Sequence, residues 1–373
     1  MFLKEYSGKA APFFVGGEKK QVDYMTRVDP LSGNVSKISV ERAQRGIGIS
    51  VAIQMEPVEN CVFCDYQKHT PGERVEHACG AVSVPNRYPW EKYDWVTIYP
   101  PFDQHKLFLT DIYFEDLERM TESAYDLAII CSRDPEVISF MDFTNWGVFA
   151  GASQQHPHSQ HKSITGVPSP VISNEMEHCR RIFEKTGKNP FQILEREERA
   201  IGRRVIHDNE VFISSMFAPL CPNEVLVFPK EDIANIIQTS GFDRRKIIEP
   251  ILGIFPALFF YLGISNMNIA VHMAPFAQME EARKYYRWHM HIYPRRSRLP
   301  ADRAGAEIGF GTEVIDVMPE VTADLLRCWY NDGPVEDLLC RTMEDSPVPG
   351  LQGHFTSFVK TNGHLHRPNA PSG

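Results

Sequence analysis

Apolar residues recur at Leu117, Met120, Ala124, Leu127 and Cys131, a spacing of three and four that lines up one side of a helix, so an amphipathic helix is predicted over Phe114 to Cys131. Shorter runs read differently. Val82-Ser-Val-Pro-Asn-Arg-Tyr-Pro-Trp and Trp95-Val-Thr-Ile-Tyr-Pro are β-rich and end at prolines, as strands entering loops do, and Val137 to Phe149 returns to strand character after the helix. The same order then recurs. Val225-Leu-Val-Phe-Pro-Lys is a strand ending in proline, helical stretches follow across Ile233 to Leu262, and the strands Met267 to His272 and Trp288-His-Met-His-Ile-Tyr-Pro come next. Each half therefore runs strand, helix, strand, His-x-His, which predicts an α+β fold made from a duplicated unit, with a mostly antiparallel sheet flanked by helices. The expected division is an N-terminal extension over 1–26, an N-terminal half over 27–195, a C-terminal half over 196–343, and a tail over 344–373. Arg27-Val-Asp-Pro-Leu-Ser-Gly supplies the turn at the first boundary, and the tail is rich in Pro, Gly, His and Asn.

With 373 residues, 43% of them hydrophobic, the chain has material for one large core or two of ordinary size. A formal net charge of -9 argues against a nucleic-acid surface, which needs a positive field, yet a local Arg/His pocket for a small anion is compatible with it. The most apolar run, Ile251 to Ile264, contains Pro256 and is too short to span a bilayer, so it is expected as a buried helix. No apolar signal-peptide core follows Met1, and a soluble, cytoplasmic protein with no membrane partner is expected. The cysteines sit at 61, 64, 79, 131, 179, 221, 328 and 340, and the close pair Cys61-Val-Phe-Cys64 is the one that suggests metal or redox chemistry.

The richest segment is Gly151-Ala-Ser-Gln-Gln-His-Pro-His-Ser-Gln160. Alternation in an extended chain sends His156, His158 and Gln160 to one face. A neutral imidazole is a competent nucleophile toward phosphorus, and an adjacent amide can steady the non-bridging oxygens, so nucleotidyl transfer through a histidine adduct is the leading expectation. A polar strand end or a metal site is the competing reading of a lone His-x-His. Cys61 and Cys64 offer two sulfur ligands, and His105 and His156 are the nitrogen ligands best placed to complete a zinc site that is closed to catalysis. A redox pair is the alternative for the cysteines, discounted because no βαβ unit surrounds them, and His105 reads equally well as an ordinary surface histidine. His272, His289, His291 and a carboxylate make a second candidate metal set, for a second zinc or an iron. Glu175 is the expected oxygen donor there, with Glu177 left open by spacing. Arg42 and Arg45, three apart, share a helical face and either clamp phosphates or form a solvated basic face. Asn86 either reads a base edge or stabilises its turn.

These residues resemble a family. The order Asp29-Pro-Leu-Ser-Gly, Glu41-Arg-Ala-Gln-Arg, Cys61-Val-Phe-Cys, Pro85-Asn-Arg-Tyr-Pro, Asn145 with Gly151-Ala-Ser153, His156-Pro-His-Ser-Gln, Val271-His-Met-Ala-Pro-Phe and Trp288-His-Met-His-Ile-Tyr-Pro is similar to that of the galactose-1-phosphate uridylyltransferases of the histidine-triad superfamily, from about Arg27 to about Arg327. The resemblance implies a duplicated histidine-triad-like fold. It makes His158 the nucleophile of a ping-pong transfer between a nucleotide sugar and a phosphorylated acceptor, by default a UDP-hexose and a hexose 1-phosphate. Gln160 and Ser153 would bind phosphoryl oxygens and Asn86 the nucleoside, with Asn145 also at the substrate. Arg42 and Arg45 would reach a neighbouring subunit's site, so a homodimer is implied. The family's ligands fall on Cys61, Cys64, His105 and His156 for zinc, and on Glu175, His272, His289 and His291 for the second metal. Two departures stand out. His161 and Lys162 follow Gln160 where the family has apolar residues, which is expected to put polar groups beside the nucleophile for the substrate. Gly305, Phe310 and Gly311 fall where the family carries charged or polar contacts to sugar hydroxyls, so the donor or acceptor is expected to differ, with a phosphorylase or hydrolase as the alternative. A fold kept for nucleotide or metal binding without catalysis is the remaining reading, and the joint retention of His158, Gln160 and Ser153 speaks against it.

Overall fold

The computed structural model describes residues 2–9, 13–15, 18–40, 57–70, 73–106, 109–295 and 305–332. Arg42, Arg45, Cys340 and the expected tail lie outside them. Five short strands open the chain: β1 (Lys4–Lys9), β2 (Phe13–Val15), β3 (Glu18–Lys20), β4 (Asp23–Val28) and β5 (Val35–Ile38). The first half continues as α1 (Tyr66–His69), β6 (Val75–Glu76), β7 (Val82–Pro85), β8 (Asp94–Ile98), α2 (Phe114–Ser132), β9 (Val137–Trp146) and β10 (His158–Thr165). Helices α3 (Pro170–Thr186) and α4 (Pro190–Ile201) lead to β11 (Val205–Asp208), β12 (Val211–Ser215), β13 (Val225–Pro229), α5 (Gly241–Ile248), α6 (Ile254–Leu262), β14 (Asn266–His272), α7 (Met279–Ala282) and β15 (His289–Arg295). The described chain closes with α8 (Gly305–Phe310), β16 (Thr312–Ile315) and α9 (Pro319–Asp332).

Ten strands form one antiparallel sheet in the order β11-β12-β13-β15-β14-β9-β10-β8-β7-β6. Read outward from the central β14–β9 pair, both sides have one order, with β14, β15, β13, β12, β11 matching β9, β10, β8, β7, β6. The repeat that the hydrophobic pattern predicted is thus a repeat of topology, and β9 and β14 are its seam. The expected boundaries do not coincide with breaks in the chain: 26/27 falls inside β4, and 195/196 inside α4. Strands from the expected N-terminal extension join the rest of the chain. β1 pairs with β4, β4 with β5, and β5 runs parallel to β16, so the two ends of the described chain share a four-stranded sheet.

Side-chain alternation splits the large sheet into two faces. One carries Trp95, Phe140, Trp146, Val225, Val227, Ile269 and Ile292 and is covered by α2, α5, α6 and α9 in the main core. Helix α2 lays Leu117, Ala124, Leu127, Ala128 and Cys131 on it, and α6 is buried from Ile254 to Tyr261, as its apolar run predicted. The opposite face differs between the halves. In the second half, α3 and α4 cover Phe212, Leu226 and Phe228 with Met176, Phe191 and Leu194. In the first, the segment around Cys61, Phe63 and Tyr66 packs on Val82, Val84, Val96 and Ile98. Both His-x-His pairs lie on this second face. Among the described residues, no helix is long and apolar enough to cross a membrane.

Candidate active site

Strand β10 begins at His158 because the preceding residues form a tight turn, and that turn depends on a glycine. Gly147 has φ 84° and ψ 159°, a region in which side chains are strained, and it opens the short helical turn Val148–Ala150. A Cβ there would meet the Asn266 side chain of β14 at 2.0 Å, and Asn266 Oδ1 in turn accepts the Phe149 N–H at 3.2 Å. Two residues further along β14, the Asn268 side-chain amide donates to Asn145 Oδ1 and to the Ala150 carbonyl, both at 2.8 Å. Two asparagines of the second half thereby hold the turn beside the nucleophile candidate of the first.

His158 is buried. Its Nδ1–H donates to the His156 carbonyl at 2.8 Å, which leaves Nε2 as the ring's lone-pair nitrogen, and its ring packs edge-on against Phe63. Burial lowers its pKa below the ordinary histidine value, with the His156 carbonyl pulling the other way, so the neutral, nucleophilic form is favoured. The cleft beside it is lined by His158, Asn145, Lys106, Gln154, Gln155 and Gly147 among others. Gln160 follows on the same strand face, half-buried, and Ser153 lies exposed on the turn before it.

His156 has a double role. Its carbonyl orients His158, while its imidazole joins Cys61, Cys64 and His105 in a group whose candidate ligand atoms all lie within 4.8 Å of one another. His156 Nε2–H donates to the Tyr99 carbonyl at 2.8 Å, which turns Nδ1 toward Cys64 Sγ at 3.3 Å, and His105 Nε2 is also 3.3 Å from that sulfur. Burial pushes the His156 pKa down to about 4, so this imidazole is a neutral donor. Two sulfurs and two imidazoles held this way could bind a metal ion.

The second group is Glu175, His272, His289 and His291, also within 4.8 Å of one another. His289 Nδ1–H donates to the Arg287 carbonyl two residues earlier at 2.8 Å, repeating the His158–His156 bond in the duplicated unit. His291 Nδ1–H donates to Glu224 at 2.7 Å, and its Nε2 is buried without a hydrogen-bond partner among the described residues, as expected of a free ligand atom. Burial alone would raise Glu175, but the facing imidazoles of His272, His289 and His291 outweigh it and hold the carboxyl near 2. Spacing left Glu177 open; it is on the solvent side of α3, paired with Arg180 and Arg181, while Glu175 lies with the three histidines. Glu224, and Tyr286, whose hydroxyl donates to Glu175 at 3.0 Å, went unpredicted because no motif marks them.

No family model matches the chain. Over 189 residues it is 28% identical to ADP-glucose phosphorylase of Arabidopsis thaliana, a match that spans half of this chain and half of that protein. Over 311 residues it is 24% identical to galactose-1-phosphate uridylyltransferase of Thermotoga maritima, covering 75% of this chain and 93% of the relative. Among solved structures, Arabidopsis ADP-glucose phosphorylase with bound ADP-glucose aligns with a TM-score of 0.68 at 21% identity, over 81% of this chain and 97% of that one. The chain is thus similar in sequence to ADP-glucose phosphorylase and to galactose-1-phosphate uridylyltransferases, and it shares their fold. Not every position matched to the family by sequence lands in the cleft. His161 does not lie beside His158: it is on the other sheet face, fully buried, stacked on Phe140 with Asp142 at 3.3 Å, because strand parity opposes it to His158 and Gln160. Lys162 is on the face of His158 but buried in an ion pair with Asp94 under the Trp90 ring, and it too is absent from the described lining of the cleft. Asn86 uses its amide within its own loop, donating to Asp94 and accepting from the Tyr88 N–H. Gly305, Phe310 and Gly311 sit on α8 and the turn into β16, and none of them is among the described residues lining this cleft.

Proposed function

We propose that the protein transfers a nucleoside monophosphate from a nucleotide sugar to a phosphorylated acceptor through a covalent adduct on His158. The observation that carries this reading is the fixed tautomer of a buried, neutral His158 whose Nε2 is left free at the cleft. In the first step Nε2 attacks the nucleotidyl phosphorus, the bond from that phosphorus to the bridging oxygen breaks, and the sugar 1-phosphate departs with the electron pair. The imidazole gains positive charge as the N–P bond forms, and the His156 carbonyl accepting from Nδ1–H stabilises that charge. Gln160 and Ser153 are the candidates for the phosphoryl oxygens, with Asn145, held by Asn268, at the cleft wall. In the second step an acceptor phosphate oxygen attacks phosphorus, the P–N bond breaks and neutral His158 is restored.

The Cys61, Cys64, His105, His156 set fits zinc by its donor chemistry; when bound, that ion is a closed structural anchor for the segment carrying His158. Glu175 and the three imidazoles fit a second zinc or an iron. UDP-hexose with a hexose 1-phosphate is the default pair of substrates, and Arg42 and Arg45 reach across a homodimer in this reading. A second reading, an ADP-sugar with inorganic phosphate as acceptor, is favoured by the match to ADP-glucose phosphorylase, whose solved structure holds ADP-glucose. Incubation with UDP-, ADP- and GDP-sugars, followed by intact-protein mass spectrometry, separates the two by the monophosphate gained. His158→Ala takes no label while staying folded. An adduct that persists in that variant removes His158 as the nucleophile.

A further inference from the structure

On the strand face that carries His158 and Gln160, the next side chain is Lys162, and it meets a carboxylate across the sheet. Lys162 pairs in register with Asp94 of β8, as Gln160 does with Val96 and His158 with Ile98. Its Nζ is 2.5 Å from Asp94 Oδ1, and the two side chains are 1% and 0% exposed. The same carboxylate holds the loop that leaves β7. Oδ1 accepts the Asn86 side-chain N–H at 2.9 Å, Oδ2 accepts the Trp90 backbone N–H at 3.2 Å, and Asn86 Oδ1 accepts the Tyr88 N–H at 3.0 Å. The Trp90 ring then closes over the ammonium at 4.8 Å, with the Phe143 ring at 5.9 Å. Yet Tyr88 and Trp90 remain 77% and 59% exposed, so the loop offers two aromatic rings to solvent from a rigidly pinned base.

Burying an ion pair gives up the hydration of both charges and is a poor way to stabilise a fold; its clearest use is to impose one arrangement on its neighbours. Here the neighbours are the loop residues nearest to the nucleophile strand on its outer side. Strand geometry sets Lys162 about 7 Å from Gln160 and about 13 Å from His158 along β10. We propose that Lys162 and Asp94 are positioning residues for nucleoside recognition: they fix Asn86 and the rings of Tyr88 and Trp90 at a set distance from the phosphoryl-transfer centre, so that the base is read by a rigid loop. This role rests on the nucleotidyl transfer proposed above.

The test uses the full chain and the rate of His158 labelling by UDP-, ADP- and GDP-glucose. Lys162→Met leaves a buried carboxylate without its cation, so the double variant Asp94→Asn/Lys162→Met accompanies it; that pair removes both charges and keeps an amide oxygen for Asn86. The half-saturating concentration of the preferred nucleotide sugar rises about ten-fold or more in both, while the limiting rate falls far less. The spread of labelling efficiency across the three bases narrows by a similar factor, and Lys162→Arg, which keeps a cation, restores part of it. A merely structural pair would change none of these ratios. A folded double variant with the parent's half-saturation and base preference therefore overturns the positioning role alone. A parent protein that takes no label from any nucleotide sugar overturns the transfer reading and the positioning role with it.

Discussion

Replacing Gly147 with alanine tests whether the turn before β10 holds His158 in place. The backbone at Gly147 lies in a region open in practice to glycine alone, and forcing a side chain into it costs roughly 1–3 kcal/mol. The added Cβ would also stand 2.0 Å from Asn266 Oδ1, so the asparagine must swing away and release the Phe149 N–H, worth about another 1–2 kcal/mol for a partly buried donor. The sum is roughly 2–5 kcal/mol of lost stability. Because Gly147 itself lines the cleft beside His158, a chain that relieves the clash by moving the turn should also label more slowly, by about 10–100-fold if the shift reaches an ångström. The two contributions separate in a double-mutant cycle with Asn266→Ala. That substitution removes the clash but not the backbone strain, so Gly147→Ala/Asn266→Ala should be less destabilised than the sum of the singles by about 1 kcal/mol or more. Urea unfolding gives the stabilities, and single-turnover labelling by a nucleotide sugar gives the rate. A Gly147→Ala protein within about 0.5 kcal/mol of the parent and labelled at the parental rate would refute the argument.

Cys61→Ser should lose about one metal equivalent per chain and melt at lower temperature, and its labelling should slow because the carbonyl that orients His158 belongs to a ligand of the same group; unchanged metal content by elemental analysis would exclude this site. Burial raises the Asp29 carboxyl from 3.8 to about 7, against the pull of the Ser32 donors. The charged form is therefore disfavoured in the fold, and the group's contribution is whole below about pH 4 and lost as pH rises through about 7. Asp29→Asn should flatten that loss, so urea midpoints of parent and variant should diverge in the variant's favour between pH 4.5 and 7.5 (roughly the titration window); divergence the other way would mean the ionised form is the one the turn needs. None of Gly305, Phe310 and Gly311 is among the described residues lining the cleft, but if they stand at the family's sugar-contact positions as the sequence resemblance implies, galactose 1-phosphate should be a poor acceptor. Two lost hydrogen bonds to charged groups lower its kcat/KM by about two to four orders of magnitude against the best acceptor. Steady-state kinetics over a panel that includes inorganic phosphate decides it, and a clear preference for galactose 1-phosphate would show that those positions do not govern the choice.

The parts legible in the sequence were those with local signatures. Helical spacing marked α2, proline-ended apolar runs marked β8 and β13, and the recurring order revealed a duplication that the sheet repeats strand for strand. Ligand chemistry brought together residues as distant as Cys61 and His156 because few side chains bind metals well. What escaped was set by tertiary packing. Glu175 and Glu177 are indistinguishable by spacing, and burial on one side of α3 separates them. Glu224, Asp94, Asn266 and Asn268 are ordinary polar residues until the fold puts a histidine, a lysine, a glycine turn and an asparagine against them. The small sheet joining β5 to β16 links residues that no local pattern connects. Strand parity alone opposes His161 to His158.

The central seam of the large sheet has a consequence for how the molecule could be divided. A chain ending ahead of β14 would retain His158, Gln160, Ser153 and all four residues of the Cys/His group. It would also present β9 as a bare edge of unpaired backbone, open to association with other chains. Asn145 and the Ala150 carbonyl would lose their donor, and the Phe149 N–H its acceptor. The half that carries His158 is thus tied to the other across this seam. Asn266 and Asn268 of the partner half hold the turn before β10, and fragment complementation, with separately expressed halves regaining labelling on mixing, is the form in which that dependence can be seen.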